Sequence, residues 1–168
     1  ITASNVDELQ PVWSFSTGVL GGHESPPIVN DGVMFITTPG NLLYAIDAAS
    51  GDLLWRYQHD LPDTYIAFHR TNRGVALYGD KVYMATLDAR VISLDAATGN
   101  KIWDTQVQDN SFGYYITMAP LAVNGKIMVG TSGGELGIRG FVVALDSETG
   151  NEAWRTYTVP GPGEPGNE

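Results

Sequence analysis

The sequence contains no cysteine, few basic residues and no long apolar run. Without Cys the chain has no disulfide bonds and no thiolate metal sites. No stretch approaches the ~20 apolar residues of a membrane-spanning helix, and no basic-then-apolar leader stands at the start, so we expect no membrane span. Nine Lys and Arg against 19 Asp and Glu give a net charge of −10. This balance argues against a nucleic-acid partner, because binding to phosphate backbones depends on clustered basic residues.

A repeat runs through the chain. Three segments align without gaps: AIDAASGDLLW at residues 45–55, SLDAATGNKIW at 93–103 and ALDSETGNEAW at 144–154. Their final tryptophans, Trp55, Trp103 and Trp154, are about 50 residues apart, and Trp13 fits the end of a preceding unit. A fixed period near 50 residues indicates an array of supersecondary units that bury their faces against each other.

Each repeat contains four short predicted strands separated by turn residues. Asn124-Gly125 and Gly79-Asp80 favour tight hairpins, and the Asp-x-x-(Ser/Thr)-Gly run favours a turn in which side chains bond the backbone. The predicted strands are residues 27–30, 33–37, 42–47 and 53–58, then 74–78, 81–86, 91–95 and 101–107, and finally 121–124, 126–130, 141–146 and 152–158. Four-stranded antiparallel units at this spacing are typical of β-propeller blades, so the predicted fold class is all-β.

The chain is therefore predicted to be one partial β-propeller domain over residues 1–168. We expect blades at about residues 19–58, 72–107 and 117–158. Residues 1–18 would end a preceding blade, and residues 159–168 would form a Pro/Gly-rich linker. Because propellers typically have about 4–8 blades, three blades do not close a ring, and we expect the chain to be a fragment. The tryptophans are expected to clamp blades together by packing on the turn glycine of an adjacent blade.

An enlarged loop, GTSGGELGIRG at residues 130–140, interrupts the third repeat. Its glycines would let backbone N–H groups approach a flat ligand closely. Its carboxylate, Glu135, is the type of oxygen donor that Ca²⁺ prefers. We expect Glu135 to be buried in this loop and to bind a metal ion beside a ligand. The alternative is a surface loop with a solvated glutamate.

The repeat and this loop together resemble the pyrroloquinoline quinone (PQQ)-dependent alcohol dehydrogenases, which include quinoprotein methanol and ethanol dehydrogenases. These enzymes are eight-bladed propellers with tryptophan-docking motifs, and the resemblance covers almost the whole chain but only the N-terminal third or so of such an enzyme. It implies that Ser132, Gly133 and Gly134 contact PQQ. It also implies that Glu135 binds Ca²⁺ or a lanthanide.

Three further segments carry the resemblance. In STGVLGGHESPP (residues 16–27) it implies that Glu24 hydrogen-bonds the quinone and that His23 positions the loop. In Asn72-Arg73-Gly74 it implies that Arg73 lies beside the quinone oxygens, where a positive charge can stabilise the reduced ring. In YYITMAPLAV (residues 114–123) it implies that the Thr117 hydroxyl reaches a cofactor carboxylate. The alternatives are a surface loop for Glu24, a salt bridge between blades for Arg73 and an ordinary strand residue for Thr117.

One segment departs from the family. Many of its alcohol dehydrogenases have two adjacent, mutually bridged cysteines a few residues before Asn-Arg-Gly, covering one face of the quinone. Here the stretch is YIAFHRTNRG, with Ala67 and Phe68 at those positions. Phe68, or His69 and Arg70, would stack over the ring instead. The substrate subclass therefore stays open.

The resemblance implies PQQ-dependent oxidation of a small primary alcohol to an aldehyde, with electrons passed to a cytochrome c in the bacterial periplasm. The family's catalytic base and its other metal ligands would lie beyond the end of this chain. We therefore assign no catalytic residue here apart from the electrostatic role of Arg73, and we expect the chain alone to be inactive. The alternatives are a non-catalytic propeller scaffold and a polyol or sugar dehydrogenase that uses the same quinone.

Overall fold

Each of the three repeats forms one antiparallel four-stranded sheet. The computed structural model describes residues 1–167, so the last residue of the predicted linker, Glu168, lies outside the described residues. The strands of the first sheet are β1 (Ile28–Asn30), β2 (Val33–Thr38), β3 (Leu42–Asp47) and β4 (Leu53–Gln58). Those of the second are β5 (Val75–Tyr78), β6 (Lys81–Ala85), β7 (Arg90–Asp95) and β8 (Lys101–Gln106). Those of the third are β9 (Leu121–Val123), β10 (Lys126–Gly130), β11 (Phe141–Asp146) and β12 (Glu152–Tyr157).

The strands of every sheet are hydrogen-bonded in chain order, as in a propeller blade. Each predicted strand is present, and each end lies within one residue of its prediction. The all-β fold class with four-stranded antiparallel blades is confirmed. Short 3₁₀ turns lie outside the sheets at Val6–Glu8, Asn110–Phe112 and Gly134–Leu136. Among the described residues, no helix has the length and apolar character needed to cross a membrane.

The middle sheet is buried on both faces. Alternate residues of a strand point to opposite sides, and β6 divides accordingly: Val82 and Met84 pack towards the first sheet, whereas Tyr83 and Ala85 pack towards the third. Strands that are buried on both faces read as nearly continuous apolar runs, which explains the sequence VYMA in β6. Each fully buried Leu, Ile or Met side chain contributes about 1.5–3 kcal/mol. The two cores therefore lie between the blades and join them.

Tryptophans connect the blades in series at their outer strands. The indole of Trp55 lies on Gly99 of the second sheet, and its Nε1–H donates to the carbonyl oxygen of Ala96 at 3.1 Å. Trp13 makes the equivalent hydrogen bond to Ala48 of the first sheet, and Trp103 makes it to Ser147 of the third. Trp154, on the outer strand of the third sheet, is 43% exposed. The predicted packing of a tryptophan on the turn of the next blade is thus present at three successive positions.

The turns that receive the tryptophans are held by their aspartates. The Asp95 carboxylate accepts hydrogen bonds from the Thr98 hydroxyl at 2.7 Å and from the Thr98 N–H at 2.8 Å. These bonds hold the pKa of Asp95 below its ordinary value, the hydroxyl having the larger effect. Asp47 and Asp146 make the same kind of turn in the first and third sheets. The Asp-x-x-(Ser/Thr)-Gly motif is therefore a local device that shapes the docking surface for a tryptophan.

Replacing the turn glycine beneath Trp55 is expected to separate two blades. Gly99 has φ +73°, and an added Cβ would lie 2.7 Å from the indole. We expect Gly99→Ala to destabilise the protein by about 2–3 kcal/mol, because a left-handed residue costs about 1–2 kcal/mol and the overpacking adds more. Gly79→Ala is the matched control, since Gly79 has φ +60° and no neighbouring atom within 4 Å of its Cβ position. Chemical unfolding of both variants measures the difference, and equal destabilisation would contradict the docking role.

Candidate functional site

Three predicted site residues meet at one end of the blades, where the chain enters each sheet. Glu24 precedes β1, Arg73 precedes β5 and Thr117 precedes β9. The Arg73 Nη2 lies 3.1 Å from the Glu24 Oε2, and its Nη1 donates to the Thr117 Oγ1 at 2.6 Å. The backbone N–H of Arg73 also donates to the Thr117 carbonyl at 2.9 Å. Arg73 thus connects the entrances of three blades.

The neighbouring Asn72 fixes the direction of Arg73. Asn72 is buried, its Nδ2 donates to the Ala85 carbonyl at 2.9 Å, and its Oδ1 accepts from the Gly74 N–H at 3.1 Å. An amide with partners on both sides anchors the entrance of β5 to the end of β6. The next side chain, Arg73, is half-exposed at the blade end. In the Asn-Arg-Gly motif the asparagine therefore positions the chain and the arginine faces the open space.

The glycine-rich loop is joined to the segment that carries Thr117. Ser132 and Tyr115 exchange two backbone hydrogen bonds, with N···O distances of 2.8 and 3.3 Å. A Cβ on Gly133 would lie 2.1 Å from the Gly113 carbonyl oxygen, so only glycine allows this approach of the two backbones. The loop then forms the 3₁₀ turn Gly134–Leu136, which presents Glu135. The loop and the entrance of β9 form one packed unit.

Six of the seven predicted site residues share a cavity of about 540 Å³. It is lined by His69 and Tyr115 together with Arg73, Thr117, Ser132, Gly133, Gly134 and Glu135. The seventh, Glu24, joins this group through its ion pair with Arg73 and lines an adjacent cavity of about 330 Å³. The structure therefore brings all the predicted residues to one end of the blades.

The Glu135 side chain differs from its sequence expectation, because it is exposed rather than buried. The 3₁₀ turn carries it away from the packed contact between Gly133 and Gly113. Burial raises the pKa of Tyr115, and the negative charge of the Glu135 carboxylate raises it further. The charge of Glu135 therefore still acts on the cavity. The Tyr115 hydroxyl accordingly stays protonated at neutral pH. Within residues 1–167, no cluster of three or more His, Asp or Glu residues has the arrangement of a metal site.

The donor set of the cavity fits a flat, anionic ligand. Arg73 supplies a charged guanidinium and Thr117 a hydroxyl, both of which can bind carboxylate or carbonyl oxygens. Gly134 has neither a left-handed φ nor any atom within 4 Å of its Cβ position. The chain itself therefore does not require glycine there, but a ligand lying against the backbone would. Glu135 offers an oxygen ligand for a hard cation.

Comparison with known proteins identifies the family of this chain. The family model named PQQ, described as "Glucose/ethanol/alcohol dehydrogenase, beta-propeller domain", matches residues 1–168. The chain belongs to this family. The resemblance found in the repeats and the glycine-rich loop is thereby confirmed.

Two relatives and one solved structure show how much of a family member the chain represents. Quinohemoprotein alcohol dehydrogenase ADH IIB of Pseudomonas putida is 47% identical over 167 residues, covering 96% of this chain and 24% of that protein. The 1-butanol dehydrogenase (cytochrome c) of Thauera butanivorans is 39% identical over 169 residues, covering 98% of this chain and 24% of that protein. A europium-containing methanol dehydrogenase superposes with a TM-score of 0.90 at 39% identity, covering 98% of this chain and 30% of that one. The chain spans about a quarter of the length of these curated relatives.

The sequence analysis did not identify Arg139, which connects the glycine-rich loop to residues 157–164. Its Nε donates to the Val159 carbonyl at 2.8 Å, its guanidinium lies 3.9 Å above the Tyr157 ring, and it pairs with Glu164. The first part of the predicted linker thus packs on the loop. The backbone N–H of Arg139 also donates to the Tyr114 hydroxyl at 3.2 Å. The repeats gave no signal for this role because Arg139 lies outside the repeated positions.

Proposed function

We propose that this chain forms one side of the PQQ site in an enzyme that oxidises a small primary alcohol to an aldehyde and passes the electrons to a cytochrome c. The observation that carries the proposal is the cavity that Arg73 and Thr117 share with Glu135 and its neighbours in the glycine-rich loop. Family membership supports the quinone as the ligand. The relatives' names support an alcohol as the substrate, and one of them names cytochrome c.

Arg73 is the residue with the clearest part in this chemistry. When bound, PQQ supplies the acceptor for the two electrons that leave the alcohol. Arg73 would direct its positive charge towards the oxygens of the bound quinone, and its pairing with Glu24 and Thr117 holds it in place beforehand. A charge fixed in advance stabilises developing negative charge without the cost of reorganisation. Gly134 leaves the space that a ring needs to lie against the loop.

Glu135 would bind the metal ion, either Ca²⁺ or a lanthanide. Ca²⁺ takes six to eight oxygen ligands, and residues 1–167 contain no cluster of three acidic or imidazole ligands. The remaining ligands would therefore come from the quinone and from parts of the protein outside this chain. We accordingly expect the chain alone to be inactive. The europium in one superposable structure supports including lanthanides in the test.

Two finer aspects complete the proposal. We place the enzyme in the bacterial periplasm, as the family resemblance suggests. A polyol or sugar substrate is the second candidate, because the family description names glucose as well as alcohols and because Ala67 and Phe68 stand where many alcohol dehydrogenases of the family have paired cysteines.

A non-catalytic scaffold would share the tryptophan contacts but gives no reason for Arg73, Thr117 and Glu135 to share a cavity.

The test uses the full-length protein that carries this chain, incubated with PQQ and either Ca²⁺ or La³⁺. Reduction of an artificial dye is followed with primary alcohols, polyols and sugars, and samples without quinone or with EDTA are the controls. We expect dye reduction that depends on quinone, metal and a primary alcohol. A response to polyols or sugars alone would transfer the proposal to the second candidate. No response to any of these substrates would reject the dehydrogenase.

A further inference from the structure

His69 lines the cavity, and the proposed function leaves it without a role. It shares the lining with Arg73 and Glu135, and its side chain is exposed. Within residues 1–167, no group makes a hydrogen bond to its imidazole. By contrast, His23 bridges Thr17 and Gly21, and His59 bonds Asp88. His69 is therefore the one histidine of the described chain whose ring nitrogens are both available to a ligand.

The backbone on both sides of His69 is fixed. On one side, the Asn110 Oδ1 accepts from the Ile66 N–H at 2.7 Å and the Asn110 Nδ2 donates to the Ile66 carbonyl at 2.8 Å. On the other side, the Gly40 N–H donates to the Arg70 carbonyl at 3.1 Å. Only three residues, 67–69, lie between these two anchors. His69 therefore stands on a short, held segment rather than on a free loop.

The same anchor links this segment to the rest of the site. The Asn110 Nδ2 also lies 2.7 Å from the Tyr114 carbonyl, and Tyr115 exchanges backbone hydrogen bonds with Ser132. A series of hydrogen bonds through Asn110 and residues 114–115 therefore joins the segment that carries His69 to the glycine-rich loop. Phe68, the other candidate for covering the ligand, is 57% exposed and is not part of the cavity lining. The geometry thus favours the imidazole over the phenyl ring.

We propose that His69 is a further binding residue of this cavity and that it donates an imidazole N–H to an oxygen of the bound quinone. The inference rests on the proposed function, since it takes the quinone as the ligand. Among the described residues that line the cavity, Arg73 is the one Lys or Arg side chain, and the carboxylates of PQQ provide more acceptors than a single guanidinium satisfies. A second donor on a held segment would strengthen binding without ordering a mobile loop, which reduces the entropic cost of binding.

The test measures quinone binding without turnover. Quinone-free, full-length protein is titrated with PQQ at a fixed Ca²⁺ concentration, and tryptophan fluorescence and the absorption spectrum of the bound quinone are followed. We expect His69→Ala to raise the dissociation constant about tenfold or more, the size expected for losing a hydrogen bond to a charged group. His69→Gln keeps an amide donor and should recover most of the affinity. Phe68→Ala is the neighbouring control and should bind as the unmodified protein does.

The outcomes separate this inference from the proposed function. If the unmodified protein binds no quinone, both fail. If it binds quinone and His69→Ala binds equally well, only the role of His69 is overturned. If His69→Ala and His69→Gln lose affinity equally while Phe68→Ala does not, a donor at this position is not the cause and the inference fails. Equal thermal stability of the variants would show that a loss of affinity does not come from unfolding. A loss of affinity in Phe68→Ala alone would overturn the inference and assign the contact to the phenyl ring.

Discussion

Replacing Glu135 by glutamine is expected to weaken metal binding by more than about 100-fold and to remove the metal-dependent activity with it. Substitution of a residue that only supports a metal ligand typically costs 10–100-fold in affinity or activity, and Glu135 is proposed as a ligand itself. Glutamine keeps the size and one oxygen but not the charge, and Ca²⁺ sites depend on charged oxygens. Calorimetric titration of the quinone-loaded protein with Ca²⁺ and with La³⁺ measures the effect directly.

The fold is expected to tolerate this change. Glu135 is exposed at the tip of a 3₁₀ turn, and within residues 1–167 its carboxylate makes no hydrogen bond. Surface substitutions of this kind usually alter stability by no more than about 0.5 kcal/mol. Glu148→Gln is the matched control, because Glu148 lies at the opposite end of β11 and pairs with Lys81. If Glu135→Gln bound metal as tightly as Glu148→Gln does, Glu135 would not be a ligand.

Replacing Arg73 by alanine is expected to lower kcat by about 10²–10³ at saturating quinone, metal and substrate. This is the size of the loss when one fixed donor to developing negative charge is removed. Arg73→Lys should be intermediate, because an ammonium keeps the charge but lacks the fork that reaches Glu24 and Thr117 together. Steady-state rates with a primary alcohol, measured after saturation with quinone has been verified, give the comparison.

Stability changes are not expected to confuse this result. The Arg73–Glu24 pair is about half exposed on both sides, and exposed pairs contribute only about 0–1 kcal/mol. Arg56→Ala is the control, since Arg56 is exposed on β4 and makes no ion pair within residues 1–167. An unchanged kcat in Arg73→Ala would show that Arg73 serves only to join the blades, which is the alternative that the sequence left open.

Strand positions followed from the sequence because their causes lie within a few residues. The continuous apolar run of β6 and the hydrogen bonds of Thr98 to Asp95 can both be read from residues that are close together in the chain. The bulge opposite each tryptophan was not foreseen. The pairing shifts after Ala45, where Trp55 is its partner, and the same shift follows Ser93 and Ala144 in the other sheets. The alternation of apolar residues in the sequence does not mark the position of such an extra residue.

The site was predictable in its members but not in its arrangement. The short motifs named Glu24, Arg73, Thr117 and the glycine-rich loop, yet the hydrogen bond from Arg73 to Thr117 joins residues 44 positions apart. Such contacts depend on the angle between adjacent sheets, which the interblade cores and tryptophans set together. The sequence suggested that Glu135 is buried. In the structure it is exposed, because it lies on the 3₁₀ turn that follows the close contact between Gly133 and Gly113.

By itself, the sequence determined the blades, their turns and the family, because repeated local patterns specify strands and hairpins without reference to distant residues. The tertiary structure alone decided that the blade entrances meet at Arg73, that His69 faces the same cavity and that Arg139 holds the loop from behind. These relations arise where separate blades pack, and packing between sheets depends on shapes that no short stretch of sequence contains.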